Sequence, residues 1–153
     1  MKQISAYMHF NGNCREAMLF YQTCLGGELN LLSVGESPLA SQFPTGMAPR
    51  ILHACLTNDR LRLMGSDLPL SHEPAIGNSV SMILECSSEA EINELAASLS
   101  VGGDVLHPLE NTFWDSVFGD IADQFGFHWY LNYDRKQPHG DLTQTNHLSE
   151  ALV

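Results

Sequence analysis

Two stretches of the chain carry apolar residues at helical spacing, and each follows a short stretch in which apolar and polar residues alternate. In the first helical stretch Ala17, Phe20, Tyr21, Cys24 and Leu25 form one stripe. Asn13 ahead of it is a good N-cap, and Glu16 stands three residues on, where a capping box places its acid. Gly26-Gly27 supply a stop, because glycine accepts the left-handed backbone of a helix end. The second stretch repeats the scheme with Ser88 and Glu91 at the start, then Ile92, Leu95, Ala96 and Leu99, then Gly102-Gly103. Helices are predicted over 13–25 and 88–101.

Period-two alternation reads as half-buried strand. It precedes the first helix over Ile4–Phe10, with Met8 and Phe10 on one face and Tyr7 and His9 on the other. It precedes the second over Ser79–Cys86, with Val80, Met82, Leu84 and Cys86 against Ser81, Ile83 and Glu85. Three further strands follow each helix: Glu28–Val34, Arg50–Thr57 and Arg60–Ser66, then Asp104–Pro108, Val117–Asp123 and Phe127–Tyr133. Asn58-Asp59 and Gln124-Phe125-Gly126 read as the tight turns. From Asn13 to Ser88 is 75 residues, and from Gly26 to Gly102 is 76, so the chain reads as a duplication. The expected architecture is α+β, a single domain over 1–153 with one βαβββ module at 4–66 and another at 79–133. Gly35–Pro49 is a long loop, Ser66–Asn78 a linker, and 134–153 a polar tail expected to be loosely ordered or packed on a partner chain.

Composition narrows the function. At 44% hydrophobic and 16% charged, 153 residues can bury one core. A net charge of −11 disfavours nucleic acid and anionic membranes, which need clustered cations. No apolar run reaches the ~18 residues of a membrane span, and the N-terminus does not read as a signal peptide, so a cytoplasmic location is expected. Cys14, Cys24, Cys55 and Cys86 form no Cys-x-x-Cys pair and read as reduced, mostly buried thiols. No Gly-x-Ser-x-Gly elbow is present, and Cys14 has no evident His partner.

Several motifs occur in order. They are Tyr7-Met8-His9-Phe10-Asn11-Gly12-Asn13, Phe20-Tyr21, Leu25-Gly26-Gly27-Glu28, Leu63-Met64-Gly65-Ser66-Asp67, Gly102-Gly103, Thr112-Phe113-Trp114 and Asp123-Gln124-Phe125-Gly126-Phe127-His128-Trp129. Together, across residues 4–133, they resemble the PhnB-like branch of the vicinal oxygen chelate superfamily, which includes glyoxalases, bleomycin-resistance proteins and extradiol dioxygenases. The resemblance implies paired βαβββ modules whose cupped mixed sheets enclose a cavity. Relatives sometimes carry a methyltransferase label, but no Gly-x-Gly-x-x-Gly follows a strand here to hold a nucleotide-like cofactor.

The resemblance also implies where a metal would sit: on His, Gln or Glu side chains of the first and last strands of each module. Those positions fall on or near Tyr7, Met64, Ser79 or Ser81, and Tyr130. Tyr, Met and Ser are poor ligands for a hard or borderline divalent ion. No cofactor is therefore expected; if a divalent metal binds, the shifted set His9, Glu85 and His128 would hold it. The competing reading makes these polar groups the lining of a pocket, with Tyr7, His9, Met64, Ser81, Glu85, Trp114, His128 and Tyr130 as its candidates. His53 reads as a packed, hydrogen-bonded histidine and Asp67 as a turn cap. Phe113 and Trp114 read as either a lid or a core seal. Three functions stay open, in order: a small-molecule binder without the superfamily metal site, a metal-dependent lyase, isomerase or dioxygenase-like enzyme with altered ligands, and an antibiotic-sequestering protein. A homodimer is expected, since open sheets leave edge strands to be covered.

Overall fold

The computed structural model describes residues 2–68 and 73–136, and the expectations for the tail beyond 136 lie outside them. The chain divides into two compact units, Met1–Ala75 and Ile76–Val153. The first contains β1 (Ala6–His9), α1 (Cys14–Leu25), β2 (Glu28–Ser33), β3 (Ile51–Thr57) and β4 (Arg62–Ser66). The second contains β5 (Ser81–Glu85), α2 (Glu89–Leu99), β6 (Asp104–Asn111), β7 (Ser116–Ala122) and β8 (His128–Asp134). The βαβββ order is present in both.

The two sheets share one topology: β1-β4-β3-β2 in the first unit and β5-β8-β7-β6 in the second. Each is mixed, with a parallel pair joining the first and last strands of the module and antiparallel ladders elsewhere. One face of each sheet is packed with apolar side chains. In the first unit Met8, Phe10, Ala54, Leu56 and Leu63 are buried together with Cys14, Ala17, Met18 and Tyr21 of α1. The α1 residues fall at i, i+3, i+4 and i+7, so the stripe begins at Cys14 and includes Met18, while Phe20 and Leu25 sit half-buried at its margin. In the second unit Ile121, Trp129 and Leu131 are buried along with Ile92 and Leu99 of α2.

The two helices start differently. Ser88 caps α2 as the sequence suggests: its hydroxyl accepts from the Glu91 N–H at 3.1 Å, while the Glu91 carboxylate accepts from the Ser87 N–H at 2.6 Å. Asn13 makes no side-chain cap on α1, so the box expected with Glu16 does not form. A carboxylate from the end of β4 takes the role. Asp67, 2% exposed, accepts the N–H groups of Gly12 (2.8 Å), Cys14 (3.1 Å) and Ile51 (2.8 Å).

Three further expectations are corrected. β6 continues through Pro108 to Asn111, because it is an outer strand with register shifts, where a proline removes no needed ladder bond. Val80 precedes β5 and is 79% exposed instead of facing the helix. The second helix ends at Leu99, with Ser100 as its cap. The second glycine of each pair is needed for space: a Cβ at Gly27 would meet the Thr57 carbonyl, and one at Gly103 the Ala122 carbonyl. The long loop holds two short 3-10 turns, Ala40–Gln42 and Thr45–Met47.

Replacing Asp67 with Asn removes a charge from three N–H groups, two of them buried, and is expected to cost about 3 kcal/mol in urea unfolding. Glu16→Ala should cost less than about 0.5 kcal/mol, as for an ordinary surface change. Equal losses in the two variants would mean that the helix is capped locally after all.

Candidate functional site

The face of each sheet away from its helix carries the chemistry, and the strand registers place it. In the first unit Tyr7 on β1 lies beside Met64 on β4, and Met64 beside Cys55 on β3. His53, left unassigned by its sequence pattern, alternates with buried Ala54 and so shares this face. The Tyr7 hydroxyl is 3.3 Å from His53 Nδ1, and the Tyr7 ring is tilted against those of His9 and His53, at 5.3 and 5.8 Å between centroids. His9 Nδ1 lies 3.1 Å from the Leu68 carbonyl. A carbonyl only accepts, so Nδ1 carries the hydrogen. The face is aromatic, with two imidazoles, a thioether and a thiol.

The second unit differs. Ser81, Ile83 and Glu85 on β5 pair with His128, Tyr130 and Asn132 on β8. Tyr130 and Asn132 pair in turn with Asp120 and Phe118 on β7, which pair with His107 and Glu110 on β6. Two rows thus cross the open face: His107, Asp120, Tyr130, Ile83 and then Glu110, Phe118, Asn132, Glu85. The Asn132 amide N–H donates to Glu85 Oε2 at 2.8 Å, His107 Nδ1 lies 3.9 Å from Asp120 Oδ2, and the Phe118 and Tyr130 rings stack at 5.2 Å, tilted by 33°. Asp120 Oδ1 and Asn132 Oδ1 are buried with no hydrogen-bond partner. Such acceptors carry a desolvation cost of about 1–3 kcal/mol each.

Of the residues singled out from sequence, the structure brings Tyr7 and Met64 together in the first unit, and Glu85 and Tyr130 onto adjacent strands in the second. Ser81 and His128 are direct neighbours. Glu85 and His128 are not: four residues along the strand pair separate them, roughly 13 Å, too far to share an ion with bonds of about 2 Å. Among the described residues no group of three or more His, Cys, Asp or Glu side chains could hold a metal ion. Trp114 is half-buried in the β6–β7 turn, edge-on to Phe113, which is 90% exposed. The sequence reading missed Phe118, Asp120 and Asn132. Their signal was the alternation of β7 and β8, where they have the parity opposite to Val117, Ile121, Trp129 and Leu131.

Asp123, which closes β7, is structural. Its carboxylate accepts from the N–H groups of Phe125 and Phe127 and from the Trp129 indole at 2.8 Å, fixing both the turn and the core tryptophan. No described helix is long and apolar enough to cross a membrane.

Two βαβββ units, each with a parallel outer pair and one open polar face, make up the architecture of the glyoxalase/bleomycin-resistance/dioxygenase superfamily. Structures under that title from Nocardioides and from Burkholderia phytofirmans share the fold, with TM-scores of 0.53 and 0.54. At 18% and 12% identity these two show the fold alone. The chain belongs to the PhnB-like family, whose model is described as 3-demethylubiquinone-9 3-methyltransferase and matches residues 2–132. It is 30% identical to protein YjdN of Escherichia coli K12 over 88% of this chain and 97% of that protein. The crystal structure of protein PA1353 from Pseudomonas aeruginosa is 38% identical, covering 88% of this chain and 98% of that one, with a TM-score of 0.78. A PhnB protein from Bacillus cereus shares the fold at 24% identity and a TM-score of 0.69, over 86% of this chain and 99% of its own.

None of the four described cysteines is in a disulfide, and two are set apart electrostatically. Burial, helped by the Asp67 carboxylate, pushes the Cys14 thiol up to about 12. Burial, helped by Glu91 and Glu85, does the same for Cys86. Only the thiolate alkylates. In native protein treated with iodoacetamide at pH 8, mass spectrometry is expected to find label on the half-buried Cys24 and Cys55 well before Cys14 and Cys86. Early modification of Cys14 would contradict this ordering.

Proposed function

We propose that this protein binds a small molecule on the open faces of its modules, without the metal centre of the superfamily's enzymes. The first module's open face offers Tyr7, His9 and Met64 as contact residues, and the second's offers Ser81, Glu85, His128 and Tyr130, with Trp114 at its margin. The observation that carries the reading is the donor chemistry at the four positions where the resemblance puts metal ligands. Tyr7 and Met64 are strand neighbours there, and Ser81 and Tyr130 are on adjacent strands. A thioether, two phenols and a hydroxyl do not suit a divalent ion, which needs imidazole, carboxylate or thiolate. The mix of aromatic surface with a few convergent polar groups instead suits an organic ligand. No reaction step is derived through a metal. The methyl transfer in the family's description is not part of this reading, because no glycine-rich loop follows a strand to hold a nucleotide-like cofactor.

Metal titration tests it. Binding to the native state alone stabilises by roughly 2.7 kcal/mol at a hundred times Kd. Metal-free protein given Zn²⁺, Ni²⁺, Mn²⁺ or Fe²⁺ is expected to show no such rise in melting temperature. A saturable rise that disappears in His9→Ala or His128→Ala would overturn the proposal in favour of a metal-dependent enzyme.

The same reading includes a homodimer. β6 is the outer strand of its sheet, with Val105 and Leu106 exposed along it and Phe113 exposed in the turn beyond. Exposed apolar surface on an edge strand is commonly covered by a second chain. Light scattering at micromolar concentration is expected to give about twice the 16.9 kDa of one chain. A mass that stays at one chain as concentration rises would sink the dimer.

A further inference from the structure

The second unit's open face has an electrostatic character that its position at the proposed binding surface does not require. None of β5, β6, β7 and β8 carries a Lys or Arg, while Glu85, Asp104, Glu110, Asp120 and Asp134 all stand on them. Acidic residues alone would amount to a solvated surface. The buried amide beside them says more. Asn132 is 5% exposed, and its N–H end is committed to Glu85 Oε2. That bond fixes which way the amide points, so the oxygen is the end left over, and it is buried without a partner. On the next strand, Asp120 Oδ1 is in the same condition. The strand register puts Asp120 opposite Tyr130 and Asn132 opposite Phe118, with the two rings stacked between the rows.

The site therefore offers the Glu85 carboxylate, one free oxygen each on Asp120 and Asn132, and two aromatic faces; its nearby donors are the Tyr130 hydroxyl and the His107 ring, whose Nδ1 lies 3.9 Å from the other Asp120 oxygen. An anion would meet like charge. A neutral acceptor would leave the orphan oxygens unmatched. A planar or compact nitrogen cation supplies N–H donors to all three oxygens and is attracted by the ring faces. We propose that Glu85 and Asn132 of one row and Asp120 of the next, beside the Phe118–Tyr130 ring pair, bind an organic cation through an amidinium, guanidinium or protonated amine group. This rests on the small-molecule reading above and specifies its ligand class. The oxygens are closed to water in the free chain, so a ligand reaches them only when neighbouring side chains give way, and Tyr130, 37% exposed, is the ring with room to move.

Three probes of nearly one shape decide the charge: benzamidinium, benzamide and benzoate, titrated into the full chain while the Phe118 and Tyr130 ring resonances are followed by NMR. Benzamidinium is expected to shift both saturably, with affinity at least about tenfold above benzamide, and benzoate to shift neither. Glu85→Gln, an exposed position that folding tolerates, should weaken benzamidinium by about tenfold, and Asp120→Asn by at least as much. Glu94→Gln, an exposed acid on α2, should leave it unchanged. If benzamide or benzoate shifts the same rings as strongly, the cation assignment falls while small-molecule binding stands. If Glu94→Gln weakens binding as much as Glu85→Gln, the attraction is bulk charge and the site is wrong. If no probe moves either ring, both proposals fall.

Discussion

The first module is held in register by one buried carboxylate. Asp67 leaves the end of β4 and accepts N–H groups from the residues entering α1 and from the start of β3. Three segments distant in sequence are thereby fixed to one side chain, and the N–H groups of Cys14 and Ile51 would otherwise be buried donors without a partner. The negative charge also sits at the positive end of the helix dipole. The pairing of Tyr7 with Met64, and of Met64 with Cys55, depends on where β1, β4 and β3 end and begin. The polar face is thus set from behind, by a residue that does not stand on it.

The second module reaches the same topology with different fastenings. Its helix is capped from within four residues by Ser88 and Glu91. Its buried aspartate, Asp123, is spent on the β7–β8 turn and the Trp129 indole. Sequence duplication therefore preserved the order of strands and the crowding at the second glycine of each pair, where a Cβ has no room. It did not preserve the hydrogen bonds that anchor each helix.

That difference explains what could be read in the sequence. Strands, helices and the repeat were legible, because periodicity and caps are local signals. The local cap of α2 was found; the cap of α1 was misassigned to Asn13 and Glu16, since a partner some fifty residues away leaves no mark beside the helix. β6 was cut short at Pro108 because a proline halts a central strand, and its place on the outside of the sheet appears only when the sheet is assembled. Val80 was counted into a face because alternation continues past the point where pairing stops. Among the site candidates, Tyr7, Met64, Glu85 and Tyr130 were set on the open faces by parity alone. Asp120 escaped because attention to the first and last strands of each module left β7 unread, although the alternation of Phe118 and Asp120 with Val117 and Ile121 was there to be counted; Asn132 was passed over on β8, where only His128 and Tyr130 of the same parity were singled out.

Two modules with one backbone plan now present unlike chemistry. The first open face has Tyr7, His9, His53, Met64 and Cys55, groups that are aromatic, soft or able to both donate and accept. The second has carboxylates, an amide and a phenylalanine–tyrosine pair, on strands with no cationic side chain. Core positions could not have drifted so far, because each is bounded by packing against a helix and a change of one methylene is felt. The open faces carry no such bound. An amide that gives up hydrogen bonding at Asn132 Oδ1, beside an equally unpartnered Asp120 Oδ1 and in a fold where buried Asp67 and Asp123 each accept three hydrogen bonds, keeps a cost that packing does not require. The simplest physical account of such a cost is a ligand that removes it.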